Sequence, residues 1–174
     1  MTTFADIPQF PKAHYEINVP WDYLEGWLKD HQKEHAKLYD LDLNPDYQRI
    51  HVWTPEQQTA YVEFILQGGE SGKVLYWNHP NWGRSYKGVL ELVDGKQRLE
   101  AVRAFLRSEV RAFGHLYAEY TDRLSISAAD FRMRIAALPT RKMVLQWYLL
   151  INAGGTPHTK EELDRVRGLL TKGC

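Results

Sequence analysis

Val89-Leu90-Glu91-Leu92-Val93-Asp94-Gly95-Lys96-Gln97-Arg98-Leu99 is the stretch that decides the fold class. Val89–Val93, rich in branched apolar side chains, predicts a buried strand. Asp94-Gly95 turns the chain at once, and Lys96 to Arg107 then carries Leu99, Val102, Phe105 and Leu106 at helical spacing. A strand that delivers the chain straight into a helix is a unit of α/β and α+β proteins, and the flanking segments repeat the alternation. Before it, Tyr15–Val19 and Val74–Trp77 predict strands, and Pro20 opens a helix to about Lys37 with Trp21, Leu24 and Leu28 on one face. Leu41–Tyr47 predicts a loop punctuated by Asn44-Pro45, and Gln48–Trp53 an extended piece. Thr54-Pro55-Glu56-Gln57 is a capping box with proline in the first turn; its helix turns Ala60, Tyr61, Phe64 and Ile65 inward and ends at Gly68-Gly69. Asn78–Lys87 predicts a hairpin-like excursion. After the central stretch, Val110–Tyr120 predicts two short strands around Gly114, and Phe131–Leu138 a further strand. Thr140 caps a helix to about Asn152, and Thr159 with Glu162 caps a last one to about Leu170. The sum is an α+β (mixed α/β) single domain over residues 1–174.

Composition narrows the function classes. The chain has 174 residues, 44% hydrophobic, 25% charged and 13% aromatic, which suits one globular core without staples. No apolar run approaches the ~18 residues of a membrane span, and residues 1–11 lack the pattern of a secretory signal. The sole cysteine, Cys174, excludes an internal disulfide and a multi-cysteine zinc site. A reducing cytoplasm is expected. Lys+Arg and Asp+Glu are both 22, so a protein that coats nucleic acid is disfavoured, though a local basic patch is not.

Chemistry concentrates at Asp94-Gly95-Lys96-Gln97-Arg98. The first amides of a helix lack intrahelical partners and carry the positive end of its dipole. Gly95 lets a ligand approach the backbone. Cations in that first turn cost a helix about 0.3–1 kcal/mol each, and an anion such as phosphate would offset the cost. The plainer alternative is a solvated Lys96 with Arg98 paired to Asp94 or Glu91. Asp46-Tyr47-Gln48-Arg49 and Ile151-Asn152-Ala153-Gly154-Gly155 are weaker signals, the latter readable as an ordinary glycine-capped corner.

Taken in order, Tyr47-Gln48-Arg49, the Trp53-containing capped helix, strand-Asp94-Gly95-Lys96-Gln97-Arg98-Leu99 and Asn152-x-Gly154-Gly155-Thr156-Pro157-x-Thr159-x-x-Glu162-Leu163 resemble one family across about residues 42–163. It is the DGQQR-signature domain family with a ParB/sulfiredoxin-like fold, found as the N-terminal part of GmrSD-type modification-dependent restriction enzymes and of SspE, a sensor of phosphorothioate DNA. The resemblance implies nucleoside triphosphate binding and hydrolysis. Asp94, Gly95, Gln97 and Arg98 would form the phosphate loop, with Lys96 in place of the first glutamine. Gln48 and Arg49 would reach the same phosphates, and Asn152, Gly154 and Gly155 would close the pocket. Asp94, Arg49 and Arg98 take the catalytic roles, Mg²⁺ arrives on the phosphates, and no protein metal ligand is assigned. The expected setting is phage–host conflict or DNA transactions, with a protein partner or a second copy as further partners. The sequence shows no His-Asn-His nuclease motif, no loop cysteine of the sulfiredoxin kind, and about 19 residues after Gly155, too few for a ParB-type helix-turn-helix.

Other patterns have plain readings. His31-x-x-Glu34-His35 matches a zinc-protease spacing inside a highly charged stretch, which reads as a solvated helix face. His79, Trp82, Arg84 and Lys87 form a basic-aromatic group suited to nucleic acid or to simple packing. Arg103, Arg107 and Arg111 suggest a solvated stripe, and Ser125 and Ser127 lack histidine and aspartate partners in sequence. Three functional readings are therefore carried forward: an Mg²⁺-dependent nucleoside triphosphatase, a DNA-binding or regulatory module without turnover, and a metal-dependent DNA nickase on the same scaffold.

Overall fold

The computed structural model describes residues 3–7, 9–33, 39–48, 53–122, 129–153 and 160–172. Five strands form one mixed sheet: β1 (Tyr15–Pro20), β2 (Tyr39–Asp42), β3 (Val74–Asn78), β4 (Gly88–Asp94) and β5 (Asp130–Ala136), in the order β1-β5-β3-β4-β2. The β1/β5 and β3/β4 pairs are antiparallel, and the β5/β3 and β4/β2 pairs are parallel. The helices are α1 (Leu24–Lys33), α2 (Pro55–Leu66), α3 (Lys96–Leu106), α4 (Arg141–Ala153) and α5 (Lys160–Lys172). The mixed α/β class stands.

Strand alternation divides the apolar residues between two layers. Leu75, Trp77, Leu90, Leu92, Phe131, Met133 and Ile135 pack with residues of α1, α2 and α3, including Leu24, Val62, Leu99, Val102 and Phe105. On the other side, Val93 and Ala136 meet Tyr47 together with Val144, Leu145, Trp147, Tyr148 and Val166 from α4 and α5. Each large buried side chain contributes roughly 1.5–3 kcal/mol of burial, so neither layer is dispensable.

Capping follows the sequence closely. Thr54 Oγ1 accepts from Gln57 N, the Gln57 side chain accepts from Thr54 N, and Pro55 starts α2. Beyond Leu66 the chain leaves through Gly68 at φ +91°. Met143 N donates to Thr140 Oγ1 ahead of α4.

Four local expectations are corrected. The region around Leu41 is not all loop: Tyr39–Asp42 pairs with β4, Leu41 packing on the core while acids mark an edge strand. The inward face of α2 is Gln58, Val62 and Ile65, whereas Ala60 is exposed and Phe64, 43% exposed, lies over Gly69. A Cβ on Gly69 would meet the Phe64 ring at 2.4 Å, so this aromatic covers the helix end rather than the core. Residues 110–120 hold a lone bridge between Ala112 and His115 and a 3-10 turn at Tyr117–Glu119, not two strands. Side chains take over the backbone there: the Glu63 carboxylate accepts from Phe113 N at 2.7 Å and Arg111 donates to Gly114 O at 2.9 Å. The helix expected from Pro20 begins as a 3-10 turn over Trp21–Tyr23 before α1. Its expected extension past residue 33, most of Gln48–Trp53, Ser125, Ser127 and the Thr159 cap fall outside the described residues.

Candidate functional site

The β3/β4 pairing slips next to the turn. Trp77 opposes Leu92 but Tyr76 opposes Asp94, so Val93 is an extra residue, a bulge one step before the strand ends. Gly95 then adopts φ +107°, a left-handed value that side-chain-bearing residues avoid. A Cβ there would also sit 2.3 Å from Leu75 Cδ2. Conformation and packing independently demand glycine, and α3 starts on the next residue.

The remaining residues of the turn take distinct roles. Gly95 O accepts from Leu99 N at 2.9 Å, the first helical bond. No side chain caps α3, and its first turn contains no acid. Arg98 folds back: Nη2 donates to Asp94 Oδ2 at 2.5 Å and Nη1 to Gly72 O at 3.0 Å. The Tyr61 hydroxyl donates to the same Gly72 carbonyl at 3.0 Å. Buried Gln97 accepts from Trp53 N at 3.1 Å and so ties the lead-in of α2 to the turn. Half-buried Lys96 has no partner among the described residues, and its ammonium stands in the first turn where an anion is favoured.

The Tyr47-Gln48 segment is anchored to the same strand. The Gln48 side-chain amide donates to Leu92 O, two residues before Asp94. Tyr47 is buried, donates to Glu91 Oε2 at 3.0 Å and meets the Tyr148 ring edge-on at 5.1 Å. Burial and the Glu91 charge push its hydroxyl far above the ordinary range. Glu91 faces Tyr47 and Asn78 rather than Arg98; burial raises its carboxyl, opposed by the bonds from those two neighbours. Asn78 also bridges to the backbone of Leu138, with Leu138 N donating to Oδ1 at 2.8 Å. From the second layer, Arg141 pairs with Asp46 and lies 5.9 Å over the Tyr47 ring. Arg165 of α5 donates to the carbonyls of Asp46, Tyr47 (2.9 Å) and Gln48 (3.2 Å).

The structure therefore gathers Gln48 and residues 94–98 around the end of β4. Arg49, Gly154 and Gly155 lie outside the described residues. Asn152 sits on α4 and donates to Tyr148 O at 2.7 Å, one turn back. Glu91, Asn78, Gly72, Arg141 and Arg165 complete the surroundings without having been singled out as site residues. A glutamate inside an apolar strand was a visible signal for Glu91; nothing local marked Gly72 or Arg165.

The second predicted group is split by burial. His79 is 0% exposed; its Nδ1 accepts from Asn81 N at 3.2 Å and burial lowers its pKa. Trp82 is half-buried against Tyr86 and Tyr15, with both ring centroids at 5.4 Å, while Arg84 and Lys87 are exposed. His31 stacks on Trp27 at 3.9 Å, and its Nδ1 lies 2.8 Å from the Trp27 carbonyl. Among the described residues no group of three or more histidines, cysteines, aspartates or glutamates stands ready for a metal. Arg103, Arg107 and Arg111 are not a free stripe: they pair with Glu25 and Glu100, with Glu109, and with Glu119.

Among the described residues no helix is long and apolar enough to cross a membrane. No curated protein and no solved structure matches the chain. Residues 24–142 match the family model described as GmrSD restriction endonuclease, N-terminal domain. That span is more than half of the chain and runs from α1 through the Tyr47-Gln48 segment and the Asp94–Arg98 turn to the start of α4. The chain belongs to the family of GmrSD restriction endonuclease N-terminal domains.

Proposed function

We propose that this restriction-related domain binds a nucleoside triphosphate at the N-terminus of α3 and hydrolyses it with Mg²⁺ as part of phage defence, on a ParB/sulfiredoxin-like scaffold. One observation carries the reading. α3 opens on a left-handed glycine with neither a capping side chain nor an acid in its first turn, and Lys96 stands there without a partner among the described residues. Helices ordinarily place acids at that end, and the arrangement suits an anion instead. Lys96 and the α3 amides would hold the phosphates. Asp94 and Arg98 brace the turn through their mutual pair, and a phosphate competing for the Arg98 guanidinium would loosen that pair. Gln48 and Gln97 fix the backbone on either side. Mg²⁺ bound to the phosphates would neutralise charge on the transferred group.

The test is thermal unfolding with each nucleoside triphosphate and Mg²⁺. At 100 times its dissociation constant, a ligand adds about 2.7 kcal/mol, a rise in Tm of roughly 5–10 °C for a chain of this size. Lys96→Ala should shrink the rise, and phosphate release should accompany it. No rise with any of the four common triphosphates would sink the proposal. A module that keeps the pocket without turnover would show the rise and no phosphate release.

A further inference from the structure

We infer that the cleft beside the 79–87 turn is a docking site for a single strand of nucleic acid, separate from the α3 turn. The cleft holds about 580 Å³ and is lined by His14, Pro80, Trp82, Arg84, Tyr86 and Pro139, among others, with no carboxylate. A second cleft of about 370 Å³ shares His14 and continues past Lys12 and Arg134 to Tyr76 and Trp147. Its one acid, Glu16, is already committed to Arg134 at 2.6 Å and Arg132 at 3.6 Å. Neither cleft is lined by a residue from 94–98.

The arginines single out this place. Arg98, Arg103, Arg107, Arg111, Arg132, Arg134, Arg141 and Arg167 all sit in ion pairs, and Arg165 holds three carbonyls. The Arg84 guanidinium alone among those of the described arginines has no partner, and Arg84 lines the cleft. The ammonium of Lys87, next to Tyr86 in the chain, and that of Lys12, in the lining of the second cleft, likewise have no partner among the described residues. A cleft lined by unpaired positive charge and no free acid raises the local concentration of anions.

The apolar wall says which anion. Trp82 and Tyr86 meet at 78° and form a corner. Tyr86 is held at φ +52°, a left-handed backbone rare for a bulky residue. That geometry keeps the aromatic in the wall of the cleft. A duplex hides the faces of its bases, whereas a single strand offers each face to an aromatic and each phosphate to a cation. Two clefts that share His14, each with aromatics and a cation in its lining, suit successive nucleotides of a strand better than one free nucleotide.

The experiment is fluorescence anisotropy of the full chain with labelled oligothymidylate and with a duplex of equal length, at low and at physiological salt. The single strand should bind more tightly. Arg84→Ala, at an exposed position, should lower the salt slope by about 0.7, and Trp82→Ala should weaken binding about ten-fold or more while Trp82→Tyr retains most of it. Each variant should keep whatever triphosphate-dependent rise in Tm the parent shows, so the two proposals stand or fall apart. Absence of single-strand binding, preference for the duplex, or affinity unchanged in both Arg84→Ala and Trp82→Ala would overturn the inference. Saturable binding of a proline-rich peptide in place of the strand would overturn it too, by assigning the aromatic wall to a protein partner.

Discussion

Replacing Gly95 by alanine probes the turn on which the candidate site is built. Two costs add. An L-residue in the left-handed region costs about 1–2 kcal/mol, and φ +107° lies beyond the comfortable part of that region. The new methyl would sit 2.3 Å from Leu75 Cδ2 and 3.5 Å from Leu75 Cα. Leu75 is fully buried beneath the first helical layer, so its methyl cannot swing clear without moving neighbours, an overpacking cost of about 1–3 kcal/mol. The sum is about 3 kcal/mol, or a fall in Tm of roughly 6–12 °C for a chain of this length. Urea unfolding followed by tryptophan fluorescence and circular dichroism gives the free energy. Gly68→Ala is the control: φ is +91° there and no atom lies within 4 Å of the added methyl, so only the conformational cost applies. Adding Leu75→Ala to Gly95→Ala should relieve the overlap, making the pair less than additive by about 1–3 kcal/mol. If Gly95→Ala loses no more stability than Gly68→Ala, the close approach of the turn to β3 is wrong, and with it the geometry claimed for the start of α3.

Arg98→Ala strips Asp94 of its partner in a half-buried setting and leaves Gly72 O with the Tyr61 hydroxyl alone, and it should cost about 1–3 kcal/mol in chemical unfolding; an unchanged midpoint would show that the pair is idle. Glu91 gives a pH signature: its folded carboxyl titrates above the usual 4.5 because burial disfavours the charge, so its stabilising contribution is complete below 4.5 and is lost as pH rises through the raised value. Glu91→Gln should therefore gain on the parent protein as pH rises from 4.5 toward neutrality in melting experiments, and a difference independent of pH would refute the shift. Arg165→Ala should speed amide exchange of Tyr47 and Gln48, whose carbonyls it holds; protection equal to the parent would mean that α5 does not brace this segment.

The strand-turn-helix core was legible because its determinants are local. Alternating burial in β4, the left-handed need at Gly95 and the Thr54-Gln57 box are each written within a few residues. The edge strand β2 was not, because Tyr39-Asp40-Leu41-Asp42 becomes a strand only through its parallel partner Gly88–Glu91. Phe64 was misplaced for a related reason: helical spacing says which residues share a face, but the C-terminal glycine pocket it fills lies outside the helix. At the site, proximity of Asp94, Lys96, Gln97 and Arg98 follows from sequence adjacency. The uses of Arg98 and Gln97 do not, since Gly72 and Trp53 are 26 and 44 residues away in the chain.

The boundary of the family match and the boundary of the packing do not coincide, and the difference bears on how the site is held. The match stops at residue 142, at the first turn of α4. Yet Tyr47, fully buried, owes its cover to Tyr148, and Val93 and Ala136 owe theirs to the cluster that contains Trp147 and Val166. Arg165 then fixes three successive carbonyls that end at Gln48, whose own side chain is bonded to β4. The N-terminal layer thus shapes the α3 turn from one face through Leu75, while α4 and α5 clamp the Tyr47-Gln48 segment from the other. A displacement of α5 would reach the candidate phosphate site through β4, because Gln48 is bonded to that strand at Leu92, two residues before Asp94. The segment after residue 142 is accordingly part of the candidate site's support, through the packing on Tyr47 and the bonds of Arg165.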